Sequence, residues 1–208
     1  MKTIFKKNSK TILFSGLLLI IYLPYILSVG YSPGDDYFHV NFIEDNPSIF
    51  ENIKQNLTMS PARPVSGITL GFVHAIVKNN IVIYNLISLS LWITSAIILK
   101  NTFKLLVNKE FSKIFFIIFS CPYLCFSIFI GNHMWSGYIL FIFFWSIAFY
   151  FQIKFYNQNK QIYLILYTLF LIISIFTFEL IISLLVINFL IPINFKIDKK
   201  IFIVNFII

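Results

Sequence analysis

Two adjacent aspartates, Asp35 and Asp36, with Tyr37 and His39 just behind them, form the sharpest chemical constellation in this chain of 208 residues. Neighbouring carboxylates repel each other, which tends to raise one of the two pKa values toward a useful range. At a membrane surface such a carboxylate takes a proton from an attacking hydroxyl as a general base, or holds a divalent cation that steadies a leaving phosphate. The competing reading is a plain turn, because Ser32-Pro33-Gly34-Asp35-Asp36 is turn chemistry. Arg63, followed by Pro64, is the second candidate. Its guanidinium matches a phosphate with two parallel hydrogen bonds, or pairs with a loop carboxylate such as Asp45 and merely holds the loop. Glu179 is the third. A carboxylate at the centre of a membrane span costs about 2.5–3.5 kcal/mol to insert and is a functional hypothesis by default, whereas at an interface it simply caps a hairpin. His74, Asn132, His133 and Trp135 have bland explanations in packing or turns, and Asn56-Leu57-Thr58 fits the N-glycosylation tripeptide.

The elements that must position these residues are apolar. Hydrophobic residues make up 59% of the chain and charged ones 12%, about half the charged share of a soluble domain, so lipid is the expected solvent. The net charge of +8 does not point to nucleic acid, because the basic residues lie between apolar runs and form no single patch. Cys121 and Cys125 are expected to be packing residues, since neither a disulfide framework nor a zinc site has enough partners.

A helix needs roughly 20 apolar residues to cross a bilayer. Runs of suitable character predict spans over 12–29, 81–99, 114–130, 137–151, 162–178 and 180–195, the last two meeting at Glu179. Residues 66–77 form a run too short to cross and predict a juxtamembrane helix lying along the surface. With that placement thirteen of the 16 basic residues fall on the side of the N-terminus, and Lys54, Arg63 and Lys78 on the other. The excess of positive charge marks the first side as cytoplasmic. The prediction is an all-α, multi-pass bundle in the cell membrane, with a cytoplasmic N-terminus, an uncleaved signal anchor and an extracytoplasmic loop over 30–80. Asp35, Asp36, Arg63 and Glu179 then share the extracytoplasmic face. The last apolar run stops after eight residues at Ile208, which predicts a single membrane domain truncated at its C-terminus.

A first span, an external loop opening on Asp35-Asp36-Tyr37, then Arg63-Pro64 leading into a short surface helix, and Glu179 in a Thr-Phe-Glu setting resemble the N-terminal part of a GT-C superfamily glycosyltransferase. The likeness is to the bacterial glucosyltransferase-like and mannosyltransferase-like members that modify surface polysaccharide. It implies transfer of a sugar from a polyprenyl-phosphate donor to a glycan or lipid acceptor at the outer face. Asp35 or Asp36 would be the catalytic base or metal ligand, and Tyr37, His39, Arg63 and Glu179 would line the substrate. No cofactor is implied beyond a divalent cation. The chain departs from that family in having fewer spans and no external C-terminal domain. The alternatives are a polysaccharide transporter, flippase or polymerase-like membrane protein, or an inactive fragment.

Overall fold

The computed structural model describes residues 13–18, 20–24, 27, 48–59, 61–78, 80–120, 136–177 and 188. Every regular element among them is an α-helix. Residues 13–18 and 20–24 are helical, within the first expected span. The expected external loop contains not one helix but two: α1, Ile49–Met59, and α2, Pro64–Val77. Ser48 starts α1, accepting the Glu51 N–H at 3.1 Å while its hydroxyl donates to the Glu51 carboxylate at 2.7 Å. The Ser48 oxygen thus caps the first turn of the helix. Pro64 opens α2 at a position where a missing N–H costs nothing.

The other helices are α3, Ile81–Leu106; α4, Lys109–Phe119; α5, Ser136–Gln158; and α6, Gln161–Ile175. Asn80 and Asn108 cap α3 and α4, their side chains accepting the N–H groups of Ile83 and Phe111. The hydroxyls of Ser90, Thr94, Ser95 and Thr102 donate to carbonyls one turn back at 2.7–2.9 Å. Donors are thereby satisfied inside an apolar helix. Among the described residues two helices, Ile81–Leu106 and Tyr138–Gln158, are long and apolar enough to cross a membrane.

The bounds differ from the expected spans for identifiable reasons. α3 runs on past Leu99 to Leu106, because Lys100 and Lys104 mark where apolar side chains stop, not where helical hydrogen bonds do. α4 begins at Lys109, set by the Asn108 cap, and closes at Phe119 with Ser120 as its C-cap. Pro122, two residues on, has no N–H to give to Ile118. The rest of the expected span over 114–130 lies outside the described residues, as does that over 180–195 apart from residue 188. α6 ends at Ile175 with a turn at Phe176–Thr177, before the expected junction at Glu179.

α3 and α5 run parallel. Ile93 shares an apolar cluster with Ile139 at the start of α5, and further along the rings of Phe103 and Phe149 meet at 6.0 Å. The α3–α4 turn at Val107–Asn108 and the α5–α6 turn at Asn159–Lys160 therefore lie at the same end of the bundle. Asn159 makes its turn with φ 49°, a left-handed conformation that asparagine tolerates. Lys100, Lys104, Lys109, Lys113, Lys154 and Lys160 gather at this lysine end.

The core is aromatic. Phe149 stacks on Trp145 at 5.3 Å, and Tyr167 and Leu171 of α6 are fully buried beside them. A second cluster joins Leu18 and Tyr22 to Leu89, Trp92, Ile93 and Ile139. Trp92 lies flat on Phe119, centroids 4.5 Å apart, and its indole N–H donates to the Phe119 carbonyl at 3.1 Å. The Tyr22 hydroxyl donates to the carbonyl of Ser120 at 3.2 Å. The orphan carbonyls at the end of α4 are thus capped by side chains of two other segments. Trp92→Phe keeps the stack and loses the N–H, and should cost about 1 kcal/mol. Trp92→Ala should cost about 3–5 kcal/mol. Reversible denaturation in mixed detergent micelles measures both, and an alanine variant no weaker than the phenylalanine one would refute this account of the α4 end.

Candidate functional site

At the end opposite the lysines, α1 and α2 form a helical hairpin around a stripe of small residues. Gly67 and Gly71 of α2 face α1, where a Cβ on Gly71 would stand 2.6 Å from Ile53 Cα. Asn52 and Asn56 of α1 are buried in this contact, their side-chain amides donating to the carbonyls of Ser48 and Asn52. The asparagine of the glycosylation tripeptide is thus inside a helix interface, where it cannot receive a glycan without the hairpin opening. His74 is buried at the far end of α2, edge-on to the Tyr84 ring at 5.4 Å, which bears out a packing role.

α2 lies across the end of the bundle. Its N-terminus is tied to α6 by a hydrogen bond from the Val65 N–H to the Phe176 carbonyl at 3.2 Å, and its C-terminus leads through Lys78 into α3. A helix of 14 residues spans about 20 Å, so it bridges the two elements with a short contact to α5 on the way. The turn at Lys78, φ 54°, completes the change of direction.

This bridging places Arg63 at one corner. It occupies the N-cap position of α2, partly exposed, and its carbonyl accepts the Gly67 N–H at 2.9 Å. The backbone of Arg63 thus stands at the positive end of the α2 dipole, the end of a helix that favours an anion such as a phosphate. Beside it, the Thr177 hydroxyl is buried and bonded to the Ile173 carbonyl at 2.7 Å. Thr177 is the last described residue of a stretch that continues in sequence through Phe178 to Glu179.

Of the residues expected to do chemistry, Arg63 is the one described. Asp35, Asp36, Tyr37, His39 and Glu179 lie outside the described residues, and so do Asp45, Cys121, Cys125, Asn132, His133 and Trp135. Among the described residues no group of three or more His, Cys, Asp or Glu side chains could hold a metal ion. A shallow groove of about 350 Å³ runs along α1, lined by Phe50, Ile53, Lys54, Leu57 and Thr58. It is largely apolar. What sequence reading missed is α1 itself and the bond from Val65 to Phe176. The first was signalled by Ser48-x-x-Glu51. The second joins residues too distant in sequence for any local pattern to mark.

Charge at the lysine end is arranged differently. Lys113 Nζ donates to both carboxylate oxygens of Glu110 at 2.8 and 3.0 Å. That bond, and the charge of Lys113, hold the Glu110 carboxyl below the usual glutamate range. No family model, curated protein or solved structure matches the chain.

Proposed function

We propose that this chain is a membrane-embedded glycosyltransferase, or the N-terminal part of one, transferring a sugar from a polyprenyl-phosphate donor to a glycan or lipid acceptor at the extracytoplasmic face. The observation that carries this reading is the hydrogen bond from the Val65 N–H to the Phe176 carbonyl. It seats Arg63 and the positive end of α2 beside the end of α6 from which the chain leads to Glu179. Arg63-Pro64 and Thr177, which precedes Phe178-Glu179 in sequence, are thereby held at one corner among the described residues.

The orientation follows from charge. The lysine end faces the cytoplasm, so the α1–α2 hairpin lies at the outer headgroup level, where a lipid-linked sugar presents its phosphate. The rings of Phe14 and Phe116 meet at 5.4 Å, and Tyr22 reaches Ser120 further along. The N-terminal helical stretch therefore runs away from the lysine end alongside α4, which supports a cytoplasmic N-terminus. The apolar residues Ile68, Phe72 and Ile76 form an exposed stripe on α2, as suits a helix resting on lipid.

In this reading Arg63 neutralises the donor phosphate and makes it a better leaving group. Asp35 or Asp36 takes the proton of the acceptor hydroxyl as oxygen attacks the anomeric carbon and the carbon–phosphate oxygen bond breaks. The test is direct. Membranes containing the full chain are supplied with radiolabelled polyprenyl-phosphate sugars and scored for labelled glycan or lipid. Transfer above that of membranes lacking the chain supports the assignment, and no transfer from glucosyl or mannosyl donors removes it.

A further inference from the structure

We propose that the α3–α4 turn is a binding site for an anionic phospholipid, its headgroup among Lys100, Lys104 and Lys113 and its acyl chains along Ile114, Ile117 and Ile118. This site does not rest on the sugar-transfer reading. It requires the bundle to be in a bilayer, and it lies at the opposite end from Arg63.

The turn between α3 and α4 is two residues, Val107 and Asn108, so the lysines of both helices are brought together. The stretch carries Lys100, Lys104, Lys109 and Lys113 against one carboxylate, Glu110. Glu110 is engaged by Lys113, which leaves the local balance strongly positive. Lys100 lies over the Phe116 ring with Nζ 4.8 Å from the centroid. Its aliphatic stem is thus packed while its ammonium stays at the edge of the apolar region.

Below this cluster the exposed face of α4 turns apolar. Ile114, Ile117 and Ile118, at helical spacing on one side, are each more than half exposed. The surface has the order of the lipid itself, with charge first and hydrocarbon one turn deeper. A zwitterionic headgroup carries no net charge to complement the excess of lysines over Glu110, whereas an anionic one does.

The test uses the full chain purified in a non-ionic detergent. Phosphatidylglycerol and phosphatidylcholine of equal chain length are supplied in equal amounts, and bound lipid is counted by native mass spectrometry. The wild type should retain phosphatidylglycerol in preference. Lys104→Gln with Lys113→Gln should lower that retention about fivefold for each lysine removed, the equivalent of about 1 kcal/mol each. Lys104→Arg with Lys113→Arg should preserve it, which separates charge from folding. Lys54→Gln with Lys78→Gln, at the other end, should leave it unchanged. No preference in the wild type, equal retention in the glutamine pair, or an equal loss in the Lys54 and Lys78 pair overturns the site.

Discussion

Asp36→Asn is expected to lower sugar transfer by about 10²–10⁴-fold, the usual contribution of a positioned general base, while the amount of chain in the membrane stays the same. The substitution changes almost nothing but the ability to take a proton or hold a cation. Asparagine is as good a turn former as aspartate. A turn-forming Asp36 therefore predicts unchanged transfer, so the two readings of Asp35-Asp36 separate cleanly. Asp35→Asn, measured alongside, tells which of the pair acts. Arg63→Lys is a companion variant, because lysine keeps the charge and loses the two-point geometry that a phosphate matches. Its transfer should fall less than that of Asp36→Asn, and a wild-type rate would leave Arg63 as a loop-holding residue.

The second large effect is structural. Gly71→Ala should loosen the α1–α2 hairpin by about 1–3 kcal/mol, the usual range for overpacking. The added Cβ would stand 2.6 and 2.7 Å from the Cα and N of Ile53, and 2.9 Å from the carbonyl carbon of Asn52. All three are backbone atoms of α1, so no side chain can swing aside. Gly67→Ala is the control. Its Cβ would meet the tip of Leu57 at 3.2 Å and the Asn56 backbone at 3.3 Å, and the gain in helix propensity of about 1 kcal/mol offsets the crowding. Hydrogen exchange over residues 49–59 should accelerate in the Gly71 variant and stay near wild type in the Gly67 variant. Equal behaviour would mean that the close approach at Gly71 does not hold the hairpin.

These predictions draw on parts of the molecule that were legible in the sequence to very different degrees. α3 and α5 are readable because a run of some twenty apolar residues has few alternatives to a buried or membrane helix. Their ends are not, because Lys100 and Lys104 show where the side chains leave the apolar zone, and the backbone ladder continues regardless. α2 is readable as a short helix from the apolar run after Pro64. The lysine distribution leads one to expect it along a membrane surface; in the fold it crosses the end of the bundle, tied to Phe176. α1, IFENIKQNLTM, hides behind its polarity. Its asparagines look like loop residues, yet they are the ones buried against Gly67 and Gly71. The candidate site is the least legible part. That Arg63 sits beside Phe176 depends on a backbone hydrogen bond between residues that share no pattern, and Asp35, Asp36 and Glu179 remain readable from residue type and spacing alone.

The bond from Val65 to Phe176 also sets an order of events during biogenesis. The contacts between α1 and α2 are local, so the pair can zip together while the chain is still being made. Its anchor does not yet exist at that stage, because the Phe176 carbonyl is synthesised about 110 residues later. The corner holding Arg63 is therefore among the last parts of the described fold to be completed, once α6 has joined α5. A chain stalled or cut before α6 would carry a well-formed hairpin without its Phe176 anchor, and its arginine would be present but unplaced.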